Sequence, residues 1–258
     1  MRCAPIARKF VPKRLFSTLV LATACTASVA HAAPIFWTDW QTSNTSSGFT
    51  GFGTITTNTA TVNVTYNNPQ GIAFYQTGTG TDYFTDNGGN RNPATSPYTS
   101  SLVDNIPTAA EMIALQFAGT QTLTFSQAVA NPVFSYVSLN GNGYAFDQDF
   151  DILSFGDGTV RAAGYWGAGT STKSIVGTEY QLLGTGEPHG TIRFKGAFST
   201  VSWRSLSSEY WNGFTVGVQG TAVEVFAAVP EPSTILAAGF GVIAGLGAFA
   251  RRRTRRAL

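Results

Sequence analysis

The middle of the chain alternates. Val62, Val64 and Tyr66 are separated by the polar residues Asn63 and Thr65, the period of a strand with one buried face. With Phe52–Thr57 just upstream, Thr61–Tyr66 predicts an opening hairpin. Shorter runs predict further strands at 71–75, 113–117, 123–125, 133–139, 152–155, 159–164, 191–195, 198–203 and 214–218. Turn-forming residues separate them at Asn67-Asn68-Pro69, Gly141-Asn142-Gly143 and Gly156-Asp157-Gly158. One short helix is expected where Thr108-Ala109-Ala110-Glu111 leads into Met112, because threonine and glutamate stand at capping-box spacing. The stretch 77–105, with Asn87-Gly88-Gly89-Asn90, Asn92-Pro93 and Ser96-Pro97, reads as a long excursion over one edge or a mobile loop. The pattern as a whole predicts an all-β fold, an antiparallel β-sandwich of jelly-roll-like type.

Both ends of the chain break the alternation. Arg2, Arg8, Lys9, Lys13 and Arg14 precede an apolar core at 15–29, and Ala30-His31-Ala32 is a small-x-small cleavage site. This is the layout of an N-terminal signal peptide, residues 1–32, cut by signal peptidase after Ala32. A competing lipoprotein site at Cys25 lacks the usual leucine three residues earlier. At the other end, 234–250 contains no charged residue. As a helix it would span roughly 25 Å, enough for a thin bilayer. Arg251, Arg252, Arg253, Arg255 and Arg256 follow it as a membrane stop that stays on the cytoplasmic side. The expected organisation is a signal peptide (1–32), a β-sandwich domain (33–228), and a C-terminal segment (229–258) with a transmembrane helix. Gly241 and Gly245 within that helix are spaced for helix pairing.

These ends distort the composition. The formal charge is +2, but ten of the sixteen basic residues lie in the two terminal segments, while thirteen of the fourteen acids lie in the body. The body is therefore acidic, with a net charge of −7. That balance excludes phosphate-backbone recognition, so no nucleic acid partner is expected. The only cysteines, Cys3 and Cys25, sit in the segment to be removed. The domain must then rely on packing rather than disulfides.

Pro230-Glu231-Pro232-Ser233, an apolar stretch and an arginine cluster, in that order and spacing, resemble the PEP-CTERM sorting signal of exopolysaccharide-producing Gram-negative bacteria. The resemblance covers about the last thirty residues and implies recognition and cleavage near Pro230–Ser233 by an exosortase, a membrane cysteine protease. An ordinary anchor that is never cut is the plain alternative. A second resemblance is weaker: Asn131-Pro132-Val133, Phe150-Asp151-Ile152-Leu153, Gly190-Thr191-Ile192 and Glu209-Tyr210-Trp211-Asn212-Gly213 are similar to a recurrent domain found ahead of such tails. It implies a β-rich module and no catalytic activity. Trp211 and Phe214 would pack a sheet edge, and Gly213 would serve a bend.

Little in the body points to catalysis. No thiol remains, no Gly-x-Ser-x-Gly elbow occurs, and the lone histidine, His189, stands between proline and glycine as a solvated loop residue would. Paired carboxylates for glycoside hydrolysis are not singled out by any spacing. Asp147, Asp149 and Asp151 would share one face of a strand and are the one candidate cation site, for calcium, although the EF-hand pattern fails at Ile152 and Gly158. An exposed acidic strand or loop without metal, whose apolar face holds Phe146, Phe150 and Ile152, is the favoured reading of these residues. Of the aromatics Trp37, Trp40, Tyr165, Trp166, Trp203, Tyr210 and Trp211, we take Trp166 and Trp211 as candidates for stacking on sugar rings.

The expected protein is therefore non-enzymatic and carries no cofactor, with calcium as the one open cation. It is exported through an inner-membrane intermediate to the cell surface or beyond, with signal peptidase and an exosortase as processing partners and exopolysaccharide as its surroundings in a biofilm matrix. A secreted carbohydrate-binding module is the alternative, and a hydrolase comes third.

Overall fold

A computed structural model describes residues 34–85, 89–156 and 169–226. The chain forms β1 (Phe36–Trp37), β2 (Asp39–Asn44), β3 (Phe49–Thr56), β4 (Thr61–Asn68), β5 (Phe74–Thr77), β6 (Glu111–Leu115), β7 (Gly119–Ala130) and β8 (Val133–Val137). It continues through β9 (Gly143–Phe146), β10 (Phe150–Phe155), β11 (Gly169–Val176), β12 (Glu179–Gly186), β13 (Gly190–Phe194), β14 (Ala197–Ser205), β15 (Asn212–Val218) and β16 (Gly220–Thr221), and then a short helix, α1 (Ala222–Phe226). Among the described residues every strand pairing is antiparallel.

Two sheets result. The smaller runs β10-β13-β8-β15-β6-β5, with β1 beside β15; the larger runs β11-β12-β9-β14-β7-β4-β3-β2, with β16 beside β7. The predicted opening hairpin is present as β3–β4, with Ile55 opposite Val62 and Gly53 opposite Val64. Its inward residues Ile55, Val62, Val64 and Tyr66 are fully buried, as period-two alternation requires.

The sheets face each other across an aromatic core. From the smaller sheet, Phe134 on β8 and Phe214 on β15 stack at 4.8 Å. From the larger, Trp203 on β14 meets Phe134 at 5.3 Å, Phe214 at 5.3 Å and Tyr66 at 5.7 Å. Tyr144 and Phe146 on β9 place ring edges against Phe134 at 5.7 and 5.6 Å. Edge-to-face and offset geometries are the favourable ones for such rings. The all-β sandwich architecture follows from this shared layer.

The stretch between β5 and β6 departs from expectation. It is neither an edge excursion nor short of structure: its described residues fold over the outer face of the smaller sheet. Phe84, Tyr98 and Ile106 pack on Met112 and Ala114 of β6 and Val137 of β8, and Val103 packs on Val133. Local side-chain bonds shape it where no ladder can. Asp82 accepts from the Phe84 amide, Asn92 from Ala94, Ser96 from Tyr98 and Ser100 from Leu102, each two residues on. Because both faces of the smaller sheet are covered, β6, β8 and β15 are buried at every position.

The helix predicted at 108–112 does not form. Ala110 takes a positive φ of 54° and Glu111 begins β6. The expected bend at Gly213 is also absent. Gly213 lies within β15, where an added Cβ would meet the Met112 sulfur at 2.3 Å, so glycine is needed for close packing rather than for turning. The strand expected at 159–164 falls outside the described residues.

Trp203 is 2 % exposed and its indole nitrogen is buried without an acceptor. Trp203→Ala should therefore lower stability by about 3–5 kcal/mol in chemical denaturation, whereas Trp203→Phe, which keeps a ring and drops the unpaired N–H, should cost distinctly less.

Candidate functional site

The aspartate cluster is dispersed by the topology. Asp147 and Asp149 lie in the connector that carries the chain from β9 in one sheet to β10 in the other, and only Asp151 is in a strand. Asp147 accepts from the Ser202 amide at 3.1 Å. Asp149 pairs with Lys173, whose ammonium also sits 5.1 Å from the Phe150 ring centre. Asp151 pairs with Arg193 at 3.3 Å and Lys195 at 3.1 Å. The hydrogen bond from Lys173 holds the Asp149 carboxyl below its ordinary range. At Asp151 desolvation pushes upward, but the bonds from Lys195 and Arg193 win and the pKa falls. Among the described residues no group of three or more histidine, cysteine or acidic side chains is placed to hold a metal.

The aromatic candidates divide by burial. Trp40 and Trp203 are core residues. Trp211 is half-buried, with Phe74 at 5.5 Å and Tyr83 at 5.0 Å. Tyr210 stands open to solvent. Tyr165 and Trp166 lie outside the described residues. His189 is not a solvated loop residue: it is fully buried beside Tyr98, and burial lowers its pKa to about 4.

Three carboxylates outside the candidate site residues do structural work. Glu111 is 3 % exposed and accepts from the Trp40 amide at 2.7 Å, tying β6 to the bulge in β2. Desolvation raises its pKa to about 7 despite that bond, with Asp39 adding to the rise. Glu209 accepts from the side-chain amides of Asn142 and Asn212, and Tyr144 donates to Asn212. Burial raises the pKa of Glu209. This network is the role of Glu209 and Asn212 in the Glu209–Gly213 motif: it fastens the ends of β9 and β15. A shallow groove of about 280 Å³ on the larger sheet is lined by Asp147, Glu179, Ser202 and Arg204, among others. Its own charges are satisfied, since Arg204 donates to both Glu179 oxygens at 3.0 and 2.8 Å.

The third carboxylate closes the domain. Thr221 and Glu224 form a reciprocal capping box on α1: the Thr221 amide donates to Glu224 at 2.6 Å and the Glu224 amide to the Thr221 hydroxyl at 3.1 Å. The other Glu224 oxygen accepts from the Thr57 hydroxyl at 2.9 Å, the Thr59 amide at 2.9 Å and the Thr59 hydroxyl at 2.6 Å. Desolvation opposes ionisation here, yet these donors hold the pKa down to about 2. Glu224 thus clamps the last described element to the β3–β4 turn.

The positions expected to carry sorting, Pro230 to Ser233 and Arg251 to Arg256, lie outside the described residues, as do Ala30 and Ala32. The transmembrane helix expected at 234–250 also lies there; no helix among the described residues is long and apolar enough to cross a membrane. Comparison with protein families finds the PEP-CTERM protein-sorting motif at residues 228–256, the segment that Pro230-Glu231-Pro232 and the arginines singled out. No curated protein matches the chain, and no solved structure does.

The buried titratable groups predict opposing pH slopes. Glu111 has a folded pKa raised from 4.5 to about 7, so its contribution is present below pH 4.5 and lost as pH rises through 7. His189 has a folded pKa lowered from 6.5 to about 4, so its contribution is present above 6.5 and lost as pH falls through 4. Glu111→Gln should remove the first slope: urea midpoints measured from pH 4.5 to 7.5 should rise with pH more steeply in the variant than in the parent.

Proposed function

We propose that this chain is an exported, non-enzymatic protein of the cell envelope or extracellular matrix, delivered by its C-terminal sorting signal. The observation that carries this is the PEP-CTERM protein-sorting motif at 228–256, which begins two residues after the last described element ends at Phe226. A folded all-β body followed directly by a sorting tail is the layout of a cargo domain. The motif supports processing by an exosortase near Pro230–Ser233. The remaining steps extend that reading: removal of residues 1–32 by signal peptidase, passage of the body across the inner membrane, and retention by an apolar helix at 234–250 with its arginines inside. Cleavage would then release the sandwich to the surface, where exopolysaccharide is its expected setting.

The acid-rich body fits an extracytoplasmic, non-nucleic-acid role, and Asp149 and Asp151 are engaged by Lys173, Arg193 and Lys195. Mass spectrometry of surface material should find an N-terminus at Ala33 and a C-terminus upstream of Leu258. Recovery of mature surface protein that still ends at Leu258 would overturn the sorting reading. Pro230→Ala combined with Pro232→Ala should leave the uncut chain in the inner-membrane fraction.

A further inference from the structure

The end of the sandwich from which the tail departs is built to meet a surface. Helix α1 shows two large apolar side chains to solvent, Val223 at 75 % and Phe226 at 44 % exposure. They are three residues apart, so they share one face of the helix. The opposite side is committed, because Val225 and Glu224 pack against Gly220 and the Glu224 carboxylate is bound to the β3–β4 turn. The helix cannot roll its apolar face inward without breaking that clamp.

The surroundings of α1 suit a lipid headgroup layer. The neighbouring turns, 57–60, 131–132 and 195–197, contain no acidic residue. Of the carboxylates on this side, Glu224 is ionised but has its oxygens occupied by four donors, and Asp151 is paired with Arg193 and Lys195. Asn131 locks the corner. Its side chain donates to Gln219 at 2.7 Å and accepts from the Gly196 amide at 3.0 Å, so the exit strand, the β7–β8 turn and the β13–β14 turn move as one.

Covalent reach fixes the occupant. Only seven residues lie between Phe226 and Thr234, where the uncharged stretch begins, so the eight steps span at most about 28 Å when fully extended. We propose that Val223 and Phe226 insert into the outer headgroup region of the inner membrane. The domain would then stand on its α1 end, with the Glu224 clamp holding the Pro230–Ser233 motif at the lipid surface before cleavage. This inference rests on the sorting reading, in which 234–250 spans the bilayer.

Depth-dependent quenching tests it. The full chain, with Cys3→Ser and Cys25→Ser, is reconstituted in phosphatidylethanolamine–phosphatidylglycerol vesicles and labelled with an environment-sensitive fluorophore at Val223→Cys. The control label is at Tyr210→Cys, which is 85 % exposed and follows β14 at the opposite end of the long β7 strand. Spin-labelled lipids should quench the first label roughly threefold more than the second, as expected for insertion of about 5–10 Å. Glu224→Ala should reduce that excess. Equal quenching at both positions in chain that resists alkaline carbonate extraction would overturn the membrane-standing pose and leave sorting intact. Chain extracted by carbonate would overturn both.

Discussion

The contact between Phe134 and Phe214, stacked at 4.8 Å and capped by Trp203, is the constraint on which the domain depends. The smaller sheet supplies the stack and the larger sheet supplies the ring edges. Without cysteines in the described residues, nothing covalent holds the two sheets at their spacing. Large rings suit the task because each spans much of the gap and carries a preferred approach geometry. The Trp203 indole N–H is left without an acceptor in this layer, but its phenols are bonded. Tyr66 donates to Gln121, which donates to Ser205 at 2.7 Å, and Tyr136 donates to Ser171 at 2.6 Å. The phenols consequently stay protonated: burial drives Tyr66 and Tyr144 far above their ordinary range.

A second constraint follows from the first. A sheet that gives its inner face to an aromatic core must still treat its other face, and here the two sheets differ. The outer face of the larger sheet is polar, with Thr50, Asn63, Thr65, Thr122 and Ser202 in alternation with core residues. The outer face of the smaller sheet is covered by the described residues of the β5–β6 connection, among them Phe84, Tyr98, Val103 and Ile106. That difference decides what the sequence can disclose. Period-two reasoning locates β3, β4, β7 and β14, where one face is wet. It locates β6, β8 and β15 only as apolar runs with displaced ends, because both faces are dry. The hairpin β11–β12 escapes it entirely: Lys173 occupies an inward position, made tolerable by Asp149 and by the Phe150 and Tyr180 rings. The β9 strand, Gly143–Phe146, is hidden by its brevity and by the glycine that looks like part of a turn.

Capping-box spacing shows the limit of local pattern. Thr108 and Glu111 have it, and so do Thr221 and Glu224. The first pair fails because the Trp40 amide, at a bulge in another strand, needs an acceptor, and Glu111 supplies it from an extended backbone. The second pair succeeds because the Thr57 and Thr59 donors reward a carboxylate at that position. Long-range demand, invisible in four residues, chooses between identical spacings. The sorting motif is legible for the opposite reason: it is read as a linear composite of motif, apolar stretch and arginines, so its signal survives without a fold.

The clamp also determines how force would enter the domain. Tension on the segment after Phe226 arrives first at α1, then at β16, which pairs with Val129 and Ala130 at the end of β7. Strand β7 is the longest in the larger sheet and lies between β14 and β4, so a load at its end passes into the β14 ladder along its length and into the β4 ladder at Thr122–Phe125 rather than peeling from an edge. The Glu224 bonds to the β3–β4 turn add a second route into the same sheet. A tail attached to an edge strand such as β2 or β11 would strip one ladder at a time. Attachment at the end of a central strand makes the exit mechanically stiff, so the chain leaves the described domain from a fixed end, not from a fraying one.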